Sequence, residues 1–114
     1  MTEWPVEATL EQMRQAIRNA RVFTESLTYE NFQADAKTRL AVERCIEIIA
    51  EAARRLPAAA QQIRPDIPWD DIKGIGNVLR HGYDKVDDRI IWTVIRRHLL
   101  PLEEALEEIA GALR

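Results

Sequence analysis

The spacing of the apolar residues constrains this chain most, because it is helical from one end to the other. Val6, Leu10, Met13 and Ile17 recur at intervals of three and four residues, which is the period of one helix face. No stretch alternates apolar and polar residues as a half-buried strand does, and no Asn-Gly pair marks a hairpin. The pattern therefore predicts an all-α fold.

Four long helices are predicted, and typical caps and breakers bound them. The first covers about Val6–Leu27, and the second begins near Asp35 and ends before Pro57. Pro68 suits the first position of the third helix, and Asp87 suits the cap of the last. The sum is an antiparallel four-helix bundle with one or two short extra helices.

Shorter features are expected between and within these helices. Thr28 is a plausible N-cap for one turn that carries Tyr29 and Phe32, and a second short turn is expected at 58–63. Pro101 lies inside the last helix, which it should kink because it lacks an N–H group.

The second helix is predicted to be central, because its apolar residues cover a wide arc that needs neighbours on several sides. They are Leu40, Val42, Cys45, Ile46, Ile48, Ile49, Ala52, Ala53 and Leu56. Cys45 is expected to be a buried thiol among them. The stripe of the first helix contains Val6, Leu10, Met13, Ile17, Ala20 and Phe23. In the third helix Gly74 and Gly76 each cost about 1 kcal/mol relative to alanine, which indicates close approach by another element.

Size and composition are those of an ordinary globular domain. The 114 residues are 46% hydrophobic and 31% charged, which predicts one domain over residues 1–114. A net charge of −3 argues against a sequence-reading DNA-binding protein, although a local basic patch would still serve a nuclease. The single cysteine, and the lack of a signal or a long apolar run, predict a cytoplasmic protein without a membrane segment.

The residues with the most chemistry stand together at the end of the third helix. Asn77 and His81 are four residues apart and share a helix face, which Arg80 borders. Gly82 is a natural stop for the helix, after which Tyr83 can fold back toward the same end. An amide, a guanidinium, an imidazole and a phenol therefore converge on one helix terminus.

This set of groups could act on a phosphodiester without a metal. Histidine can serve as acid or base near neutral pH, and arginine can hold a phosphoryl group and stabilise charge in the transition state. RNA supplies its own nucleophile, the 2′-hydroxyl. The alternative is structural, because a helix C-terminus favours both cations through its dipole. Spacing alone leaves both interpretations open.

Other kinds of site find little support. One cysteine and two histidines, without a His-Glu-x-x-His motif or clustered carboxylates, argue against zinc, and neither a metal nor a cofactor is expected. Glu51, in an apolar stretch of the second helix, is either an inward partner of Asn77 or of an arginine, or a surface carboxylate. His98 is expected to lie at the boundary of the core along the last helix.

The whole chain resembles the HEPN superfamily, in particular the HepT-like toxins of bacterial and archaeal toxin–antitoxin pairs. The resemblance covers roughly residues 8–110, and the order and spacing of its pieces make it specific. The pieces are LTYENF at 27–32, IIAEAARRLP at 48–57, PDIPW at 65–69 followed by Asn77, His81 and Tyr83, and the run from Val86-Asp87 through Trp92 to Leu100-Pro101-Leu102.

One motif position departs from the family. The family motif is an arginine, usually followed by asparagine, then a histidine and, two residues on, a tyrosine. Asn77, His81 and Tyr83 match, but Gly76 stands where the arginine belongs. Arg80 lies one helical turn beyond Gly76. Either it reaches the same phosphate, helped by the space beside that glycine, or it faces away. The departure bears on ribonuclease activity and not on the fold.

The resemblance implies an HEPN-like homodimer in which two such motifs meet around a shared cleft. Active members are metal-independent endoribonucleases, and a minimal nucleotidyltransferase acts as antitoxin, in some systems by adenylylating the motif tyrosine. We therefore expect His81 as acid and base, Arg80 as the phosphate-binding group, Asn77 as a positioning residue, Tyr83 as the modification site and Glu51 as a supporting carboxylate. The alternatives are a catalytically inactive HEPN module that binds a nucleotidyltransferase, and a helical bundle with unrelated interactions.

Overall fold

The computed structural model describes residues 5–81 and 87–113, apart from the side chains of Asn77, Arg80 and His81. Within these ranges every regular element is helical, which confirms the predicted all-α class. The elements are α1 (Val6–Thr24), α2 (Tyr29–Ala34), α3 (Ala36–Arg55), α4 (Ala58–Gln61), α5 (Trp69–His81), α6 (Asp88–Thr93), a π-helical turn (Val94–His98) and α7 (Leu99–Ala112).

Three side chains cap helices where the sequence predicts it. Thr28 Oγ1 accepts a hydrogen bond from the Asn31 N–H at the start of α2, at 3.1 Å. Asp35 accepts one from the Thr38 N–H (3.1 Å) and Asp87 one from the Arg89 N–H (2.8 Å). Each bond satisfies an N–H group that has no partner inside its helix, so these residues fix where α2, α3 and α6 begin.

The central position of α3 is confirmed. α1 packs along one side of α3 and α5 along another, while α7 packs against α1. Four arms therefore form the bundle, with α6, the π turn and α7 together as the closing arm. Cys45 is buried in the core as predicted, and its burial raises the pKa of the thiol.

The first helix is shorter than predicted, because its end is held by the closing arm. α1 stops at Thr24 and not near Leu27. Arg96 donates hydrogen bonds to the carbonyl oxygens of Thr24 (2.8 Å) and Leu27 (2.7 Å), and its guanidinium lies 4.2 Å from the ring centre of Trp92. The arginine therefore occupies carbonyl groups that a longer helix would have used.

Two residues assigned to the core by periodicity lie at the surface. Phe23 is 45% exposed and Leu40 is 66% exposed. Thr24 is fully buried next to Phe23, because its hydroxyl donates to the Ala20 carbonyl at 2.8 Å and so carries no unpaired group into the core. Both apolar residues stand at the edge of their stripes, where no other described helix covers them.

Pro101 disturbs the closing arm in the turn that precedes it. The Val94–His98 segment is a π-helical turn, in which the Leu99 N–H donates to the Val94 carbonyl. Pro101 cannot donate to the Arg97 carbonyl and its ring crowds that group, and a widened turn relieves the crowding. The predicted disturbance at Pro101 therefore takes the form of a local change in helix type.

In the part of the chain that the structure describes, no helix combines the length and the apolar character needed to cross a bilayer.

Candidate functional site at the end of helix α5

The start of α5 is anchored firmly to the loop before it. The indole Nε1 of Trp69 donates to the carbonyl oxygens of Gln61 (3.1 Å) and Arg64 (3.0 Å), and the ring itself is buried. Pro68 stands immediately before the first helical residue, and its carbonyl accepts from the Ile72 N–H at 3.1 Å. These bonds fix the direction in which α5 carries its C-terminal end.

α5 runs antiparallel to α3, and two contacts fix their register. Arg54 Nη2 donates to the Lys73 carbonyl at 2.9 Å. One turn further along, Gly76 faces Ala50. The same register continued by another turn brings the backbone of position 80 level with Glu47 on α3.

Gly76 is the point of closest approach between the two helices. It is buried, and a β-carbon built on it would collide with the Cβ of Ala50 and lie 3.6 Å from the Ala50 Cα. The prediction of close approach is therefore confirmed for Gly76. It is wrong for Gly74, where an added β-carbon meets no atom within 4 Å.

The space expected beside Gly76 is not open. Ala50 fills it, so the missing side chain at position 76 leaves no channel through which another cation could reach past the helix. The part of the Arg80 hypothesis that depended on this space is wrong, and the reason is the close packing of α3 on α5.

Two carboxylates on α3 that sequence reasoning did not single out share the helix face of Ala50 and Arg54. They are Glu43 and Glu47. Glu43, Glu47, Ala50 and Arg54 follow one another along that face at spacings of four, three and four residues. Burial raises the pKa of the Glu43 carboxyl most, and the charge of Asp88 raises it further; Arg39 lowers it, and Glu47 makes the smallest contribution, which also raises it.

Both carboxylates have basic neighbours. Glu47 forms an ion pair with Arg44 at 3.0 Å, and Asp88, whose charge raises the Glu43 pKa, lies 3.8 Å from Arg39. By the register of the two helices, Glu47 lies level with the last described turn of α5. The spacing of the stripe was visible in the sequence, but only the position of Gly76 over Ala50 shows that the stripe faces α5.

Glu51 lies on α3 directly after Ala50. Its side chain is 49% exposed, and its carboxylate oxygen lies 3.9 Å from Arg54 Nε. The structure thus places it on the surface side of the α3–α5 contact. Its role as a supporting carboxylate for the candidate site stays a prediction.

Three of the residues predicted to do chemistry lie in the second half of α5. Asn77, Arg80 and His81 fall within Trp69–His81, so the predicted helix is confirmed over this range. The predicted stop at Gly82 lies outside the described residues. Their side chains are outside the described part of the molecule, and Tyr83 lies outside the described residues altogether. The convergence of the four groups on one terminus stays a prediction.

A separate apolar groove lies between α5 and the closing arm. Its volume is about 610 Å³, and His98 lines it. His98 belongs to the π turn and is exposed to solvent. Isoleucines dominate the lining: Ile46, Ile49, Ile67, Ile72, Ile75 and Ile90. Among the described residues, the lining contains no lysine or arginine to bind a phosphate, and an apolar surface of this kind is typical of a contact with another apolar group.

Comparison with known proteins decides the family. The sequence pattern of the family described as Ribonuclease HepT-like matches residues 13–109, which include α3, α5 and the residues between α5 and α6. The chain belongs to this family. The predicted HEPN resemblance is thereby confirmed, and the HepT-like fold accounts for the all-α bundle.

Relatives in archaea and bacteria carry matching names. A probable ribonuclease HepT of Thermococcus cleftensis is 33% identical, over 88% of this chain and 91% of its own. A putative RNase of Caldanaerobacter subterraneus is 34% identical over 75% of this chain and 76% of its own length. A putative RNase of Methanocaldococcus jannaschii is 27% identical over 94% of this chain and 98% of its own length. No solved structure gives a significant match.

Proposed function

We propose that this HepT-like protein is the toxin of a toxin–antitoxin pair, and that it acts as a metal-independent endoribonuclease at a cleft shared by two subunits. The observation that carries the proposal is the family match across residues 13–109, since it spans the helix on which Asn77 and His81 occupy motif positions, with Arg80 between them. RNA is the substrate class that fits, because its 2′-hydroxyl lets a few side chains suffice.

The proposed chemistry uses a histidine to move protons. His81 accepts the proton of the 2′-hydroxyl as its oxygen attacks the adjacent phosphorus, and a protonated imidazole gives a proton to the departing 5′-oxygen. The products are a 2′,3′-cyclic phosphate and a free 5′-hydroxyl. Arg80 binds the phosphate oxygens and stabilises their charge in the transition state, and Asn77 positions either group.

Regulation and assembly complete the proposal. The partner is a minimal nucleotidyltransferase that neutralises the toxin, and Tyr83 is the residue that it adenylylates. A nucleotide there would add bulk and negative charge beside His81 and so repel the RNA backbone. An isologous homodimer brings the two α5 ends together. The cytoplasm is the compartment in which RNA and a single reduced thiol both belong.

The second candidate function is a catalytically inactive HepT-like module that docks a nucleotidyltransferase. The contact between Gly76 and Ala50 favours it, because position 76 can supply no cation while α3 and α5 remain in contact. In that case Arg80 and His81 stabilise a helix end and the protein acts through binding alone.

RNA cleavage by the purified protein tests the first candidate. Transfer or messenger RNA is incubated with a chelator and with the wild type, His81→Ala or His98→Ala. We expect cleavage by the wild type and by His98→Ala, whose histidine lines the apolar groove, and loss of cleavage in His81→Ala. Equal cleavage by the wild type and His81→Ala would remove the assignment. Tight binding of the nucleotidyltransferase without loss of RNA at any concentration would establish the second candidate.

A further inference from the structure

We propose that Ala50 is the residue that excludes an arginine from position 76, and that removing its β-carbon allows an arginine there to act in RNA cleavage. Ala50 is then a positioning residue, which decides what the neighbouring helix can present. The inference rests on the proposed ribonuclease function, and it concerns a residue of α3 that carries no chemistry of its own.

The contact is specific to one pair of positions. Ala50 is 1% exposed and Gly76 is buried opposite it, so the first atom of any side chain at position 76 must lie against Ala50. At Gly74, two residues earlier on the same helix, an added β-carbon meets nothing within 4 Å. The obstacle at position 76 is therefore Ala50 itself and not general crowding along α5.

The two helices cannot easily move apart to admit a side chain. The hydrogen bond from Arg54 to the Lys73 carbonyl (2.9 Å) joins α3 and α5 one turn away from Ala50. Trp69, buried and bonded to the carbonyl groups of Gln61 and Arg64, fixes the start of α5. An arginine at position 76 in the presence of Ala50 must strain both attachments.

Removing one methyl group is enough to admit the first atom of a side chain. Without the Ala50 Cβ, the nearest atom to a β-carbon at position 76 is the Ala50 Cα, at 3.6 Å. That distance is an ordinary van der Waals contact. The helices can then keep their present separation.

The rest of the arginine has a favourable direction to follow. Side chains on a helix lean toward its N-terminus, which on α5 is toward Lys73 and, across the contact, toward the turn of α3 that carries Glu51. The Glu51 carboxylate is half exposed there. A guanidinium in that direction would lie close to solvent, five residues before His81.

Four proteins test the proposal: the wild type, Ala50→Gly, Gly76→Arg and the double variant. Melting temperature and kcat/KM for one RNA, with a chelator present, are measured for each. We expect Gly76→Arg to melt well below the wild type without a gain in cleavage. Ala50→Gly should restore most of that loss in the double variant, whose kcat/KM should exceed the wild-type value by at least about tenfold.

A matched variant separates the guanidinium from its packing. Ala50→Gly/Gly76→Gln places a long neutral side chain at the same position, and we expect it to fold as well as the arginine variant with no gain in kcat. A gain of the same size with glutamine would overturn the proposal. So would a gain in Gly76→Arg alone, because Ala50 would then not be the barrier.

The proposal can fail separately from the proposed function. A double variant that melts near Ala50→Gly but cleaves no faster than its glutamine counterpart overturns the inference, whatever the wild type does. If the double variant does not fold, Gly76→Ala is compared with and without Ala50→Gly. The inference is overturned if Ala50→Gly does not restore the melting temperature of Gly76→Ala. If the wild type is inactive but the double variant cleaves RNA with His81 as its acid and base, the inference is supported. Catalysis by the wild type is then rejected.

Discussion

The two sides of α3 are built differently. Toward α1 the core contains large aliphatic side chains, such as Leu10, Met13 and Ile17, all buried in one cluster. Toward α5 the closest contact joins an alanine and a glycine, and an arginine binds a main-chain carbonyl beside it. The first side contributes large buried side chains to the core. The second side fixes where α5, and with it the candidate site, is held.

The largest expected effect is on the α1 side. Ile17 is fully buried, and Ile17→Ala should lower the free energy of unfolding by about 2–5 kcal/mol through lost burial and a residual cavity. Chemical denaturation measures it. If RNA cleavage by the folded fraction stays near the wild-type rate, the α1 side serves stability only. A selective loss of that rate would erase the distinction between the two sides.

The two glycines of α5 should respond with opposite signs. Gly74→Ala, which places a methyl group in open space, should stabilise the protein by up to about 1 kcal/mol. Gly76→Ala should destabilise it by about 1–3 kcal/mol, because the methyl group must displace α5 from Ala50. The melting temperatures of the two variants, each compared with the wild type, measure these opposite shifts. Equal shifts would mean that the helices do not touch at Gly76.

The hydrogen bond between Arg54 and the Lys73 carbonyl should matter more for position than for stability. Arg54→Met keeps the apolar stem and removes the donor, and for this exposed bond we expect a loss of about 1 kcal/mol or less. Cleavage should fall by a larger factor than that loss explains, since α5 loses one of its two fixed points on α3. A variant with normal cleavage would show that Ala50 and Gly76 hold the register alone.

The smallest effect concerns the carboxylate of Glu43. Its pKa is raised in the folded protein by burial and by Asp88 and Glu47, so its ionised form is destabilising above the folded pKa. Glu43→Gln should therefore raise the melting temperature at pH 7. The gain should disappear as the pH falls below the ordinary value of 4.5, where the wild-type carboxyl is protonated in both states. A gain that does not depend on pH would point to packing instead.

Local signals predicted local structure well. The caps Thr28, Asp35 and Asp87 act within two or three residues of themselves, so the sequence alone identifies them. Phe23 and Leu40 were misplaced because a helical period shows which residues share a face but not how far a neighbouring helix extends over it.

The candidate site was predicted in part, for the same reason. Its residues stand out by type and spacing on one helix, and the order of the motif pieces predicted the family. The neighbours across the contact could not be predicted. Ala50 faces α5 where Gly76 lies against it, and no pattern within α3 shows that its stripe is the one turned toward α5.

The most direct test of a ribonuclease site at the end of α5 is the single-turnover rate at which His81→Ala cleaves one RNA, measured beside its melting temperature. The account predicts a loss of at least about a hundredfold relative to the wild type, with a melting temperature within a few degrees of it. A well-folded His81→Ala protein that cleaves at the wild-type rate would contradict the account.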